Sequence, residues 1–233
     1  MATAIPSSPT THGQEERVPV YVWELPVRWA HWLIFLSIAV LSVTGLYIGT
    51  PYLAVVDAEA ATMSLMRTIH FVAGFVFALS VLSRVIWGFI GNRYARWRSF
   101  IPVYGREWRS AWKTFRFYTF TRWDPPPAIG HNRLAGMAYI VLFLGFIAEA
   151  LTGFALYSIG REGFWTIFQG INAWLGIPYV RLVHHVLMWL IIAFFLHHLA
   201  SVVITDVEER NGLVTSMFSG FKIVKRSELD SDE

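Results

Sequence analysis

Apolar and polar positions alternate along this chain on a long wavelength. Four apolar stretches, at about 29–49, 64–90, 133–158 and 182–205, are separated by segments carrying charge, proline and aromatic residues. At about 1.5 Å per helical residue, each is long enough to cross the roughly 30 Å of hydrocarbon in a bilayer. The pattern predicts an all-α integral membrane four-helix bundle. Pro26 suits a helix start, and Gly49-Thr50-Pro51 a helix end. No charge occurs from Trp29 to Val56, whereas the second stretch holds Arg84 near its far end and the third holds Glu149. An ionisable group at that depth is a functional candidate by default; the alternative for Glu149 is a neutral carboxyl hydrogen-bonded to a neighbour.

The flanks divide the chain into a flexible N-terminal tail (1–17), a four-span domain (18–210) and a C-terminal tail (211–233). The opening MATAIPSSPTTHGQE lacks the apolar centre of a cleaved signal peptide. In the loop GREWRSAWKTFRFYTFTRW, Trp108, Trp112 and Phe115 recur at helical spacing, with Arg109, Lys113 and Arg116 on an adjacent stripe. That predicts an interfacial helix lying among lipid headgroups between the second and third spans; the alternative is a solvated basic loop.

Charge sets the orientation. With both termini on one side, that side collects 16 of the 19 Lys and Arg residues and the opposite side only Arg67, Arg161 and Arg181. Such a bias predicts cytoplasmic termini and a cytoplasmic 91–132 loop. Composition agrees: 55% hydrophobic, 15% charged and 11 Trp fit a membrane protein better than a soluble one. The pI near 9.3 does not point to nucleic acid, because the basic residues are interleaved with aromatics beside apolar runs and so fit membrane lipid. With no cysteine, the chain can hold no iron–sulfur cluster, disulfide, thiol nucleophile or covalently attached c-type haem.

The fourth stretch, RLVHHVLMWLIIAFFLHHLAS, carries four histidines. An imidazole in hydrocarbon is costly unless its nitrogens are satisfied. His184 and His198 are fourteen residues apart, which on a helix is an offset of only about 40° and a separation of about 21 Å. The other pairings diverge by more than about 100°. Depth supplies the partners: His31, early in the first span, matches His198, and His70, early in the second, matches His184. Two bis-histidine sites on facing helices suit two non-covalent haem b groups with imidazole axial ligands. Zinc is disfavoured because each level offers too few nitrogens for a tetrahedral site. His185 and His197 are left to a neighbouring helix, the interface, a propionate or a proton path. Gly74 and Gly45 are small enough to let a flat macrocycle approach the backbone. A loose internal echo links SVTGLYI with EALTGFALY, and RTIH with RLVH, as though two hairpins descend from one unit.

From about Val18 to Lys222 the chain resembles the b-type cytochrome subunit of membrane-bound nickel–iron hydrogenases, a family related to the gamma subunit of membrane formate dehydrogenases. The resemblance is carried by VYVWELPVRWAHW, TGLYIGTPY, GHNRLAG, RLVHHVLMW and, most specifically, ITDVEERNGLVTSMFSGFK. It implies a bacterial inner-membrane electron-transfer subunit that anchors the large (nickel–iron) and small (iron–sulfur) hydrogenase subunits on the periplasmic side. Electrons would enter at the outer haem on His70 and His184 and pass to the inner haem on His31 and His198. They would then reach quinone near the cytoplasmic face, in a pocket involving His131 and Asn132. Asparagine is also a preferred helix cap, which is the other reading of Asn132. Asp206 or the loop arginines would bring protons. Such a subunit would not oxidise hydrogen alone. The competing functions are a self-standing di-haem cytochrome of the b561 type and a haem-free anchor or proton-relaying transporter.

Overall fold

The computed structural model describes residues 16–51, 59–101, 104–118, 121, 133–209 and 212–226. Helices α1 (Leu25–Gly49), α2 (Glu59–Ile90), α4 (Arg133–Tyr157) and α6 (Ile177–Glu209) are the long ones. Each contains a segment long and apolar enough to span a membrane: Leu25–Gly49, Ala61–Ile90, Leu134–Tyr157 and Ile177–Ile204. Two shorter helices, α3 (Gly105–Tyr118) and α5 (Thr166–Leu175), lie between spans. A terminal helix α7 (Leu213–Ser219) leads into strand β2 (Phe221–Lys225), which pairs with strand β1 (Arg17–Tyr21).

Helices α1, α2 and α6 begin earlier than the apolar runs, and α4 begins with its run at Arg133. Pro26 occupies the first turn of α1, where its missing N–H leaves no helical bond unmade. Gly176, at φ +84°, ends α5 and lets α6 start one residue later, with Pro178 in its first turn. Helices α1 and α2 pack as one hairpin, and α4 and α6 as the other. Between them, Ile34, Ile38, Phe77, Val81, Phe143, Phe146 and Ile191 form a dry mid-bundle core. Leu36, Val43, Leu79, Val141 and Leu190 point outward and are more than one-third exposed, the face that a bilayer would cover.

A second, smaller core gathers Val22, Trp23, Val27, Ala95 and Val224 beneath the start of α1. The residues expected to form a plain C-terminal tail therefore hold a helix and a strand, and Arg17 lies in a strand. In the antiparallel ribbon, Arg17 faces Lys225 and Tyr21 faces Phe221. Gly220, at φ +89°, sits where a Cβ would meet the Tyr21 ring, so glycine is needed twice over. Its carbonyl accepts the N–H groups of Val22 and Trp23 at 2.9 and 3.1 Å. The Trp23 indole donates to Ser216 Oγ (3.1 Å), the Trp32 indole to the Met217 carbonyl (3.1 Å), and Arg28 to the Phe218 carbonyl. The chain's end is thus fastened to the first two turns of α1, at the level of His31.

Glu24 adds a second fastening. Its Oε2 accepts the Trp87 indole N–H at 2.8 Å and the Asn92 amide at 2.7 Å, tying the start of α1 to the end of α2. Replacing Glu24 by alanine leaves two donors without an acceptor, at a cost of about 1–3 kcal/mol. Thermal unfolding in detergent, followed by tryptophan fluorescence, should show a lower Tm for Glu24→Ala and recovery of most of the loss in Glu24→Gln.

Candidate functional site

His31 on α1 and His198 on α6 face each other across the gap between the hairpins, with ring centroids 6.4 Å apart and planes at 66°. Two imidazole nitrogens on opposite sides of one metal ion, each at about 2 Å, stand about 4 Å apart. A ring radius added on either side comes close to the observed centroid separation. Nδ1 of His31 is buried with no hydrogen-bond partner among the described residues. The His198 ring stacks on Phe194, 5.6 Å away and nearly parallel at 8°, while Trp32 meets His31 edge-on. Aromatic packing thus holds both rings.

The other pair, His70 on α2 and His184 on α6, lines a single cavity of about 1070 Å³. That is at or beyond the upper end of ordinary ligand pockets, roughly 300–1,000 Å³, and roomy enough for a macrocycle. Gly74 lines this cavity with open space where a Cβ would project, as expected of a residue that admits a flat group. Gly45 does something else: a Cβ there would lie 3.3 Å from His70 Cε1, so its smallness seats the histidine ring. Gly153 does the same for His184, at 3.2 Å. Thr44 and Thr152, each just before the glycine, place Oγ1 2.9 and 3.0 Å from Nδ1 of His70 and His184. Glu149 Oε1 lies 3.3 Å from the same His184 nitrogen, and its Oε2 is buried without a partner. Arg67, Arg161 and Arg181 line the cavity too, cations suited to carboxylates at its mouth.

His185 lines the same cavity beside the pair, whereas His197 lies outside it. Nδ1 of His185 is 2.7 Å from the Arg181 carbonyl, one turn back on its own helix, and Nε2 approaches Gly49. His197 is exposed beside Ser201. Among the described residues no three His, Asp or Glu side chains converge as a metal site, so the donor set at each level is a pair of imidazoles. A pair of imidazoles fits the ligand needs of a haem, and the His70–His184 pair would have a large cavity beside it to hold one. His131 and Asn132, the expected quinone contacts, lie outside the described residues.

The echo of threonine, glycine and histidine is therefore structural: each hairpin clasps its histidine of the His70–His184 pair in the same way. The likeness breaks at the other level. Thirteen residues before Thr44 stands His31, but thirteen before Thr152 stands Tyr139. Fourteen residues after His184 stands His198, but fourteen after His70 stands Arg84. Arg84 is 4% exposed, with its guanidinium 5.6 Å from the Trp97 and Phe100 ring centroids and 5.9 Å from Phe143. Tyr139 stacks on Phe100 and Phe143 in the same cluster. Gly88 leaves the space that the Trp97 indole fills, and that indole donates to the Val85 carbonyl at 3.0 Å. Cation–π contacts of this desolvated kind contribute about 2 kcal/mol. At this level α1 and α6, one helix from each hairpin, present facing imidazoles, whereas Arg84 of α2 and Tyr139 of α4 close the other side. Arg84 stood out in the sequence as a charge in a span; its cage depends on residues from α4 and the loop after α2.

The comparisons with known proteins agree. A family model for prokaryotic cytochrome b561 matches residues 22–220. A probable Ni/Fe-hydrogenase B-type cytochrome subunit of Azotobacter vinelandii is 36% identical, covering 93% of this chain and 95% of the relative. Its counterpart in Cupriavidus necator is 37% identical, over 88% and 87%. The probable Ni/Fe-hydrogenase 1 B-type cytochrome subunit of Escherichia coli K12 is 36% identical, over 91% and 94%. With four apolar helices long enough to span a membrane, the chain is a multi-pass membrane protein that belongs to the prokaryotic cytochrome b561 family, whose members carry b-type haem, alongside the nickel–iron hydrogenase B-type cytochrome subunits.

Proposed function

We propose that this chain is the membrane electron-transfer subunit of a hydrogen:quinone oxidoreductase, carrying electrons from a periplasm-facing nickel–iron hydrogenase to the quinone pool and anchoring that enzyme to the bacterial inner membrane. The observation that carries this reading is the stacking of two imidazole pairs, each drawn from two different helices, at two levels of one bundle. His70 and His184 would hold one haem b near the outer side, and His31 and His198 a second near the inner side. Haem iron supplies reversible one-electron transfer when bound. The protein's part is to keep both levels dry and fixed. The core of Ile34, Ile38, Phe77, Val81, Phe143, Phe146 and Ile191 lies between the two levels and excludes water there. Thr44 and Thr152 seat the outer rings, while the C-terminal helix and ribbon fasten the segment carrying His31. The relatives' designation as nickel–iron hydrogenase cytochrome subunits supports a hydrogenase as partner, and its large and small subunits are the partners we assign.

The 16-to-3 distribution of basic residues supports cytoplasmic termini and a periplasmic position for the His70–His184 level. Helix α3 suits the cytoplasmic headgroup region, since Trp108, Trp112 and Phe115 are 53%, 61% and 43% exposed along one side. Quinone would bind near His131 and Asn132 at the entrance to α4, close to the inner pair. Asp206 accepts the Val214 N–H at 3.2 Å, so it helps to shape that end of the bundle as well as offering a carboxylate for proton delivery.

Haem content per chain, measured as the pyridine haemochrome, should be two in the purified wild type. It should fall to one in His70→Ala or His184→Ala, and equally in His31→Ala or His198→Ala, and stay at two in His185→Ala and His197→Ala. Loss of a haem in His185→Ala with two retained in His184→Ala would refute the assignment. Dithionite should reduce the isolated chain and hydrogen should not. Co-assembly with the hydrogenase subunits should confer hydrogen-dependent quinone reduction. An isolated chain that turns over quinone with a soluble small-molecule reductant at comparable rates would favour the self-standing cytochrome instead. Reporter fusions at either terminus should be active only as cytoplasmic reporters.

A further inference from the structure

Each outer histidine is held by a residue pair whose chemistry is the same in both hairpins. The Thr44 hydroxyl lies 2.8 Å from the Val40 carbonyl and 3.3 Å from that of Leu41; Thr152 lies 2.8 Å from the Ala148 carbonyl and 3.0 Å from that of Glu149. A hydroxyl has one proton, and carbonyls accept only. With that proton given to the preceding turn, the hydroxyl oxygen is left to accept. Its remaining neighbour is Nδ1 of the histidine, at 2.9 Å for His70 and 3.0 Å for His184. That arrangement is satisfied by a ring that carries its proton on Nδ1 and leaves the Nε2 lone pair free. The following glycine keeps the ring from being pushed away, since a Cβ would stand only 3.3 or 3.2 Å from Cε1.

From this we infer that Thr44 and Thr152 are positioning residues for the His70–His184 pair: they select the tautomer that offers Nε2 to iron, and they raise the donor strength of both imidazoles. An acceptor on the far nitrogen makes an imidazole a more basic ligand, and such ligands favour the oxidised metal. At His184 the effect is reinforced by Glu149 Oε1, 3.3 Å from the same nitrogen. The other level is built differently, for Nδ1 of His31 has no partner among the described residues. The two threonines thus lower the midpoint potential of the outer level from the value the same ring pair would have without them. That is the direction that drives electrons inward. The inference rests on the proposed haem ligation, and its test separates the two.

Thr44→Val and Thr152→Val remove the hydroxyl while keeping the side-chain shape; Thr44→Ser and Thr152→Ser keep the hydroxyl. The full-length chain is purified, its haem content measured, its two components titrated optically against potential, and the oxidised form recorded by electron paramagnetic resonance. The valine variants should shift the outer component to higher potential with altered g-values, or lose it, while the inner component stays unchanged. The serine variants should match the wild type. Valine variants with wild-type potentials and g-values overturn the inference. So do serine variants that behave like the valine ones, because shape and not the hydroxyl would then be what matters. A wild-type chain with no haem that His70→Ala removes overturns the underlying ligation instead.

Discussion

Imidazole in hydrocarbon is the constraint around which this bundle is arranged. A ring nitrogen without a partner in lipid costs several kcal/mol, and of the six histidines inside the described spans four form the two pairs. Two of these are answered, one within each hairpin, by a threonine hydroxyl at hydrogen-bond distance and a glycine that makes room for the ring. The other two face one another between the hairpins, held by stacking on Phe194 and an edge contact with Trp32. Placing these rings requires the two hairpins to stand apart at both levels and to touch between them, which is where the aliphatic and aromatic core lies.

The two halves share a plan and then part from it. At the His70–His184 level α2 and α6 make the same contribution, so the site there is built from equivalent histidines. At the other level each hairpin supplies one imidazole, from α1 and α6, while α2 carries Arg84 in its aromatic cage beside Tyr139 of α4. That asymmetry puts the second pair to one side of the bundle. It also explains why the C-terminal ribbon matters: His31 lies near the end of its helix, and Trp32 and Arg28 are anchored by carbonyls of residues nearly two hundred positions away.

Much of this is written locally and can be read so. The spans follow from runs of apolar residues longer than a bilayer requires, and the facing of His184 with His198 follows from helical periodicity alone. The starts of α1 and α6 were harder to see because Leu25 and Ile177 precede the strongest apolar runs and rely on proline in the first turn. The ribbon was not legible, since a five-residue strand at each end of the chain signals nothing until the bundle brings Arg17 beside Lys225. The paired threonine–glycine steps were visible as a repeat, but their meaning depends on depth across a hairpin, which the sequence does not state. Gly45 illustrates the point: its size was informative, yet what it makes room for is a histidine ring.

The proposed function requires each of the two imidazole pairs to hold one iron porphyrin within the bundle. Low-temperature electron paramagnetic resonance of the oxidised, membrane-inserted protein, with iron quantified per chain, tests that most directly. The account predicts two overlapping low-spin ferric signals, one iron in each, with no high-spin component. Correctly inserted protein that is colourless and silent, or that shows a single low-spin iron, would contradict it.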